Sequence, residues 1–247
     1  MIRIAAVGDV HMDTDVVGRF RPALAQLPDQ ADVLLLAGDL TRHGTESEAR
    51  CVAQEFGDLA VPVVAVLGNH DHHCDEVPQL VKVLTDAGIT VLEGDGVVLD
   101  SPGGRLGVAG VKGFGGGFAG RCASRFGEPE MKAFVSTTAE SADRLRSALV
   151  ELDCDVRVAL THYAPVPETL AGEPLEIYPF LGSYLLAEAI DAAPTDLAVH
   201  GHAHFGSERG TTPGGVRVRN VAHPVIKQAY SVFVLHPAEP VADRSDR

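Results

Sequence analysis

The first third of the chain holds three short apolar runs, residues 2–7, 32–37 and 62–67, alternating with amphipathic stretches near 16–26, 45–56 and 76–87. Strand-length runs alternating with helix-length stretches make a βαβ rhythm, which commits a chain to a parallel sheet with helical cover. The second run, Val33-Leu34-Leu35-Leu36-Ala37, is apolar at every position, as a strand covered on both faces must be. Thr45 ahead of Glu46 and Glu48 supplies an N-cap and the glutamate of a capping box for the second helix.

Beyond Gly88 the pattern shortens. Strands are expected at 89–92, 96–100 and 105–110, the last two joined by a turn at Pro102-Gly103-Gly104. The stretch from Gly110 to Gly120 is too rich in glycine for an ordinary helix or strand. A helix over 137–150 and a strand over 156–161 follow. Four prolines mark 164–181 as an irregular loop. A helix near 183–192, a strand at 196–200 and late strands at 215–221 and 230–235 complete the reading. The 247 residues can bury one substantial core. A single domain over 1–236 is expected, with 237–247 as a flexible tail.

Charge narrows the partners. The formal net charge is −14, with only 20 Lys and Arg, no dense basic cluster and no tryptophan to stack on bases. That opposes an extended nucleic-acid surface but leaves room for a small phosphate ester, since bound cations would neutralise several carboxylates. No apolar run is long enough for a membrane span, and no signal peptide is read at the N-terminus. Cys51, Cys74, Cys122 and Cys154 are widely spaced and form no CxxC pair. A cytoplasmic protein with reduced thiols is expected.

Five polar segments stand where apolar runs end: Asp9-Val10-His11, Gly38-Asp39, Gly68-Asn69-His70-Asp71, Thr161-His162 and Gly201-His202-Ala203-His204. Asp9 and His11 are two residues apart, so in extended backbone both side chains point to one face. His202 and His204 repeat that spacing. Asp39 follows a strand directly, and its two carboxylate oxygens could bridge two ions. Asn69 offers a neutral carbonyl oxygen, and His162 and His202 offer imidazoles. Nitrogen and oxygen donors without thiolate suit Mn, Fe, Zn, Co or Ni. One such segment alone is a weak signal; the five in order, each at a strand end, point to a dinuclear metal hydrolase.

The order DxH…GD…GNHD…H…GHxH resembles the calcineurin-like metallophosphoesterase superfamily, with all five motifs intact over residues 9–204. The resemblance implies an α/β fold: a four-layer α/β/β/α sandwich of two mixed β-sheets flanked by helices, with a dinuclear metal site at the strand ends. It implies Asp9, His11, Asp39 and His204 at one metal and Asp39, Asn69, His162 and His202 at the other, with Asp39 bridging. His70 would face the substrate and Asp71 would orient or polarise it. The cofactors expected are two divalent or mixed-valence transition-metal ions, with Mn, Fe and Zn foremost.

Such a pair would run in-line attack by a metal-bridging hydroxide on a small phosphodiester or nucleotide. A phosphomonoesterase and a non-catalytic scaffold that binds a protein partner are the alternatives; intact ligands and an intact His70 weigh against the scaffold. His43, His72, His73 and His223 are secondary candidates for the cleft, while His200 reads as a strand end. Lys112, Arg121 and Arg125 beside Phe114 and Phe118 read either as phosphate-binding cations with a base-contacting aromatic, or as a surface excursion with its Phe residues in the core. Tyr163 and Tyr178 could narrow the cleft.

Overall fold

The computed structural model describes residues 1–237; the expected tail, from residue 238 on, lies outside them. A five-stranded sheet takes the order β13-β1-β2-β3-β4, with β1 Ile2–Val7, β2 Val33–Ala37, β3 Val63–Val66, β4 Ile89–Val91 and β13 Ser231–Leu235. Its pairs are parallel except β1 with β13. A six-stranded sheet takes the order β11-β12-β10-β9-β6-β5, with β5 Asp95–Ser101, β6 Gly104–Val111, β9 Val156–Thr161, β10 Leu197–His200, β11 Arg209–Thr211 and β12 Arg217–Asn220. Its inner pairs are parallel and its two edges antiparallel. A small ribbon pairs β7 Gly117–Phe118 with β8 Arg121–Cys122.

Side-chain alternation builds the layers. Val33, Leu35 and Ala37 of β2 point into the core between the sheets, where they meet Val156, Val158 and Leu160 of β9. Leu34 and Leu36 point the other way, into a core with helices α3 (Glu46–Phe56) and α4 (Val77–Asp86). Two one-turn helices, α1 (Arg21–Leu24) and α2 (Leu27–Gln30), join that layer. On the far face Ala109, Val111 and Ala159 pack under α5 (Pro129–Glu151) and α7 (Tyr184–Asp191). Short helices α6 (Tyr178–Leu181) and α8 (His223–Ile226) sit in connections. The fold is therefore two mixed sheets flanked by helices, and β2 is apolar throughout because both its faces are covered. Full burial of each Leu or Val here is worth about 1.5–3 kcal/mol.

Local rules account for the elements that are legible, and for those that are not. The Thr45 capping box is present: Thr45 Oγ1 accepts from Glu48 N at 3.3 Å, and Glu48 Oε2 accepts from Thr45 N at 3.2 Å. Ser101 and Gly104 pair across the expected hairpin turn. Three readings need correction. No continuous helix spans 16–26; turns run to Phe20, held by the buried Glu55 carboxylate, which accepts from the amides of Gly18 and Phe20 at 2.6 Å each. Gly18 there has φ 88°, which breaks a helical path. Helix α5 begins at Pro129 rather than 137, with proline in its first turn, where its missing N–H costs nothing. Strand β11, the polar triplet Arg-Gly-Thr, escapes a sequence reading because it carries no apolar alternation. The 164–181 stretch is irregular but contains two single 3₁₀ turns and α6.

Candidate metal centre

Strands β1, β2 and β3 lie side by side and parallel, so their C-terminal ends reach one edge together. In open α/β sheets that edge is where ligands bind. The turns leaving β1 and β2 run on as a short ladder, with Asp9 N donating to Gly38 O at 2.9 Å and His11 N to Asp39 O at 3.1 Å. This path puts Asp9, His11 and Asp39 at φ of 56°, 43° and 49°, and His202 at 69°. Left-handed backbone is rare for residues with a Cβ, and clusters of it mark functional sites.

The second sheet closes the edge. His162, directly after β9, donates from Nδ1 to the Ala37 carbonyl of β2 at 2.9 Å. That bond commits Nδ1 and leaves Nε2 facing Asn69 Oδ1 at 3.1 Å and Asp39 Oδ1 at 3.3 Å. Gly38 makes the approach possible, because a Cβ there would strike the His162 ring. The turn after β10 brings His202, whose backbone N–H donates to Asp9, and His204, whose Nε2 lies 2.8 Å from Asp9 Oδ1.

Two donor sets result. Asp9, His11, Asp39 and His204 offer ligand atoms within 4.8 Å of one another, and so do Asp39, His162 and His202. Asp39 belongs to both, with Oδ1 toward His162 and Oδ2 3.9 Å from His11 Nε2. Asn69 joins the second set through its contact with His162. The fit to cations is carried by His11: its Nε2 is buried and has no hydrogen-bond partner. A buried polar nitrogen left without a partner costs about 1–3 kcal/mol, which coordination would relieve.

Protonation tells the same story from the other side. Burial alone would raise the Asp39 pKa, but His162 and the His70 N–H outweigh it and hold the carboxyl well below its usual range. Burial would lower the pKa of His162, yet Asp39 pulls it up to about 9. Burial, then His162, push His202 down to about 3. The Asp39 carboxylate and His162 Nε2, 3.3 Å apart, thus favour each other's charged forms across a space a cation could take. His202 Nε2 is turned to the Phe180 carbonyl at 3.3 Å, which leaves Nδ1 as its free nitrogen.

His70 follows Asn69 in a 3₁₀ turn, His70–His72. Its Nδ1 is 2.8 Å from the Arg42 carbonyl, its Nε2 is 4.0 Å from Asp39 Oδ2, and its side chain is 44% exposed. Asp71 does not touch it. The Asp71 carboxylate is fully buried and accepts from the amides of Leu40 (3.1 Å), Thr41 (2.8 Å) and Gly68 (2.7 Å) and from the Thr41 hydroxyl. Burial, then Asp39, raise its pKa to about 6. The expectation that Asp71 orients His70 is therefore corrected: Asp71 braces the turns after β2 and β3, and the Arg42 carbonyl orients the ring. Arg42 escapes a sequence reading because a backbone oxygen leaves no mark in residue identity.

The secondary candidates disperse. His43 is tied to Glu48 at 2.8 Å, and His223 packs edge-on against Phe20. His72 lines a cleft with Lys112, while His73 lies 6.4 Å from His43. His200 is buried, bonded to the Gly201 carbonyl and the Thr169 hydroxyl, and structural. Phe118 is in the core with Leu170 and Leu181. Arg125 bonds the Ser136 hydroxyl at 3.1 Å. Tyr178 donates to the Leu170 carbonyl, and Tyr163 stacks near His202.

A family model described as calcineurin-like phosphoesterase matches residues 2–206. Among solved structures, phosphopantetheinyl hydrolase (PptH) from Mycobacterium tuberculosis is similar at a TM-score of 0.68 and 17% identity, over 96% of this chain and 98% of that one. The protein TT1561 of Thermus thermophilus is similar at a TM-score of 0.55 and 17% identity, over 89% of this chain and 88% of that one. At such identities the likeness speaks for the fold. No curated protein matches the chain by sequence. Among the described residues, no helix is long and apolar enough to cross a membrane.

Proposed function

We propose that this chain, which belongs to the calcineurin-like phosphoesterase family, hydrolyses a small phosphate ester, a phosphodiester or nucleotide, at a dinuclear metal centre. The observation that carries the reading is the pair of donor sets sharing Asp39, the first of them containing the orphaned His11 Nε2. Asp9, His11, Asp39 and His204 would hold one transition-metal ion, and Asp39, Asn69, His162 and His202 the other, with Mn, Fe or Zn as occupants. When bound, such a pair supplies the Lewis acidity that makes water a nucleophile near neutral pH and offsets charge on the phosphoryl oxygens.

The chain's own residues do the rest. The His162 to Ala37 bond and the Asp9 bond to the His202 amide fix two ligands across the sheet interface. His70, with Nδ1 committed to Arg42, presents Nε2 to the ester. In its imidazolium form it carries a proton there, which would hydrogen-bond a phosphoryl oxygen and then be transferred once, to the leaving oxygen, leaving a neutral imidazole. Asp71 keeps the two turns in register. The proposal also places the protein in the cytoplasm, where its four unpaired thiols stay reduced.

Hydrolysis of bis(p-nitrophenyl) phosphate and p-nitrophenyl phosphate after metal reconstitution, abolished by a chelator, is the expected result. His70→Ala should retain both metals and lose about 10²–10⁴-fold in turnover, whereas Asp39→Ala should lose metal. Equal metal loss in both variants would refute this division of roles, and a fully metallated protein without turnover would refute the hydrolase.

A further inference from the structure

Aromatic side chains form a continuous wall against the His202 end of the cluster. Tyr163 lies 4.4 Å from the His202 ring, Phe114 5.9 Å from Tyr163, Phe134 5.0 Å from Phe114 and Phe180 6.3 Å from Phe134. The Phe180 carbonyl closes the circuit by accepting from His202 Nε2. Phe180 as a residue is nonetheless 60% exposed. A lone exposed phenyl needs no explanation, but this one is backed by other rings and its own backbone touches a proposed metal ligand.

The wall also carries a cation. Lys112 Nζ lies 5.1 Å from the Phe114 centroid and 5.3 Å from that of Tyr163. The neighbouring Glu93 carboxylate is paired with Arg144 at 2.9 Å. The ammonium therefore rests on two ring faces at the edge of an open cleft of about 700 Å³ that Lys112 and His72 line. Arg144 and the carboxylates Glu93, Glu140 and Asp143 line the same cleft, so on a chain of net charge −14 the ring-backed Lys112 is the cation an anionic ester would meet at that edge.

Resting on the hydrolase reading and adding what it acts upon, we propose that Phe180, backed by Phe134 and Phe114, is the specificity-determining face for a planar aromatic group of the substrate. The class is a nucleotide, with the base stacked on Phe180 and Lys112 supplying charge to the phosphate side. An open ring face suits any base, because stacking reads the π-surface and leaves the hydrogen-bonding edge free.

The test uses esters identical at the reacting bond and different only in the base: AMP against ribose 5-phosphate, and thymidine 5′-(p-nitrophenyl phosphate) against its abasic counterpart, 1,2-dideoxyribose 5-(p-nitrophenyl phosphate). On the metal-reconstituted full chain, the base-bearing member should have a kcat/KM higher by about tenfold or more. Phe180→Ala should collapse that ratio toward one through KM, and Phe180→Tyr, which keeps a ring face, should preserve it. Lys112→Met should raise KM for both members of each pair by a similar factor. Calorimetric titration of AMP and ribose 5-phosphate reads the same preference without turnover. Absence of hydrolysis would thus strike the hydrolase reading, while the titration still decides the subsite. Equal affinities for AMP and ribose 5-phosphate, or a ratio untouched by Phe180→Ala, would overturn it.

Discussion

Gly68 has no side chain, and that lets the Asp39 carboxylate lie against the turn after β3; a Cβ there would collide with Asp39 Oδ1 and the Asp39 amide nitrogen. Gly68→Ala should therefore push the shared carboxylate out of place. Overpacking of this kind costs about 1–3 kcal/mol, so the variant should fold, yet bind less metal and turn over less. Metal content by elemental analysis checks this, and two ions held with unchanged affinity would count against it. At this scale much is legible. The proposed ligands Asp9, His11, Asp39, Asn69, His162, His202 and His204 are picked out by donor type and by position at strand ends, and the structure brings them together. What their identities do not carry is orientation. Asp71 sits one residue from His70 in sequence, yet its carboxylate turns inward to four donors while His70 turns outward to a carbonyl.

Helices and strands behave differently in this respect. The α3 start is readable because a capping box is a three-residue device whose partners are neighbours in sequence. Thr45→Ala should remove it, costing about 1 kcal/mol and lowering Tm by about 2–4 °C. Turnover per folded molecule should stay as it was, since Thr45 lies outside the proposed site; a large fall in turnover at matched folded fraction would show that the helix start reaches the centre. The segment before α1 defeats a local reading because its conformation is set by Glu55, more than thirty residues away. Strand β11 is hidden because its pairing with β12, rather than its own pattern, makes it a strand. The wall of Phe114, Phe134 and Phe180 is only partly visible, since its members come from three separate elements.

For the molecule as a whole, buried histidines set a pH profile. Burial lowers His200 to about 4, so it is neutral when folded and takes a proton on unfolding below its ordinary value near 6.5. The stability it contributes is whole above about 6.5 and is lost as pH falls toward about 4. His162 works in the opposite sense in the metal-free protein. Its pKa is raised to about 9, so its contribution is whole below about 6.5 and fades as pH rises through about 9. On the proposed reading a metal held by His162 would displace that proton, so the rise in Tm on adding Mn should grow with pH toward about 9. Thermal unfolding with and without Mn across this range measures it; an increment independent of pH would contradict the shared site of proton and metal. By itself, the sequence determined which donors exist, their order, and that each follows a strand, because donor chemistry and local periodicity are written residue by residue. Only the tertiary structure decided that the donors converge. His204 meets Asp9 across 195 positions of chain, and the sharing of Asp39 depends on two sheets meeting at β2 and β9 at a distance that Gly38 permits. Such distances are set by register and packing between segments far apart in sequence, and no local pattern encodes them.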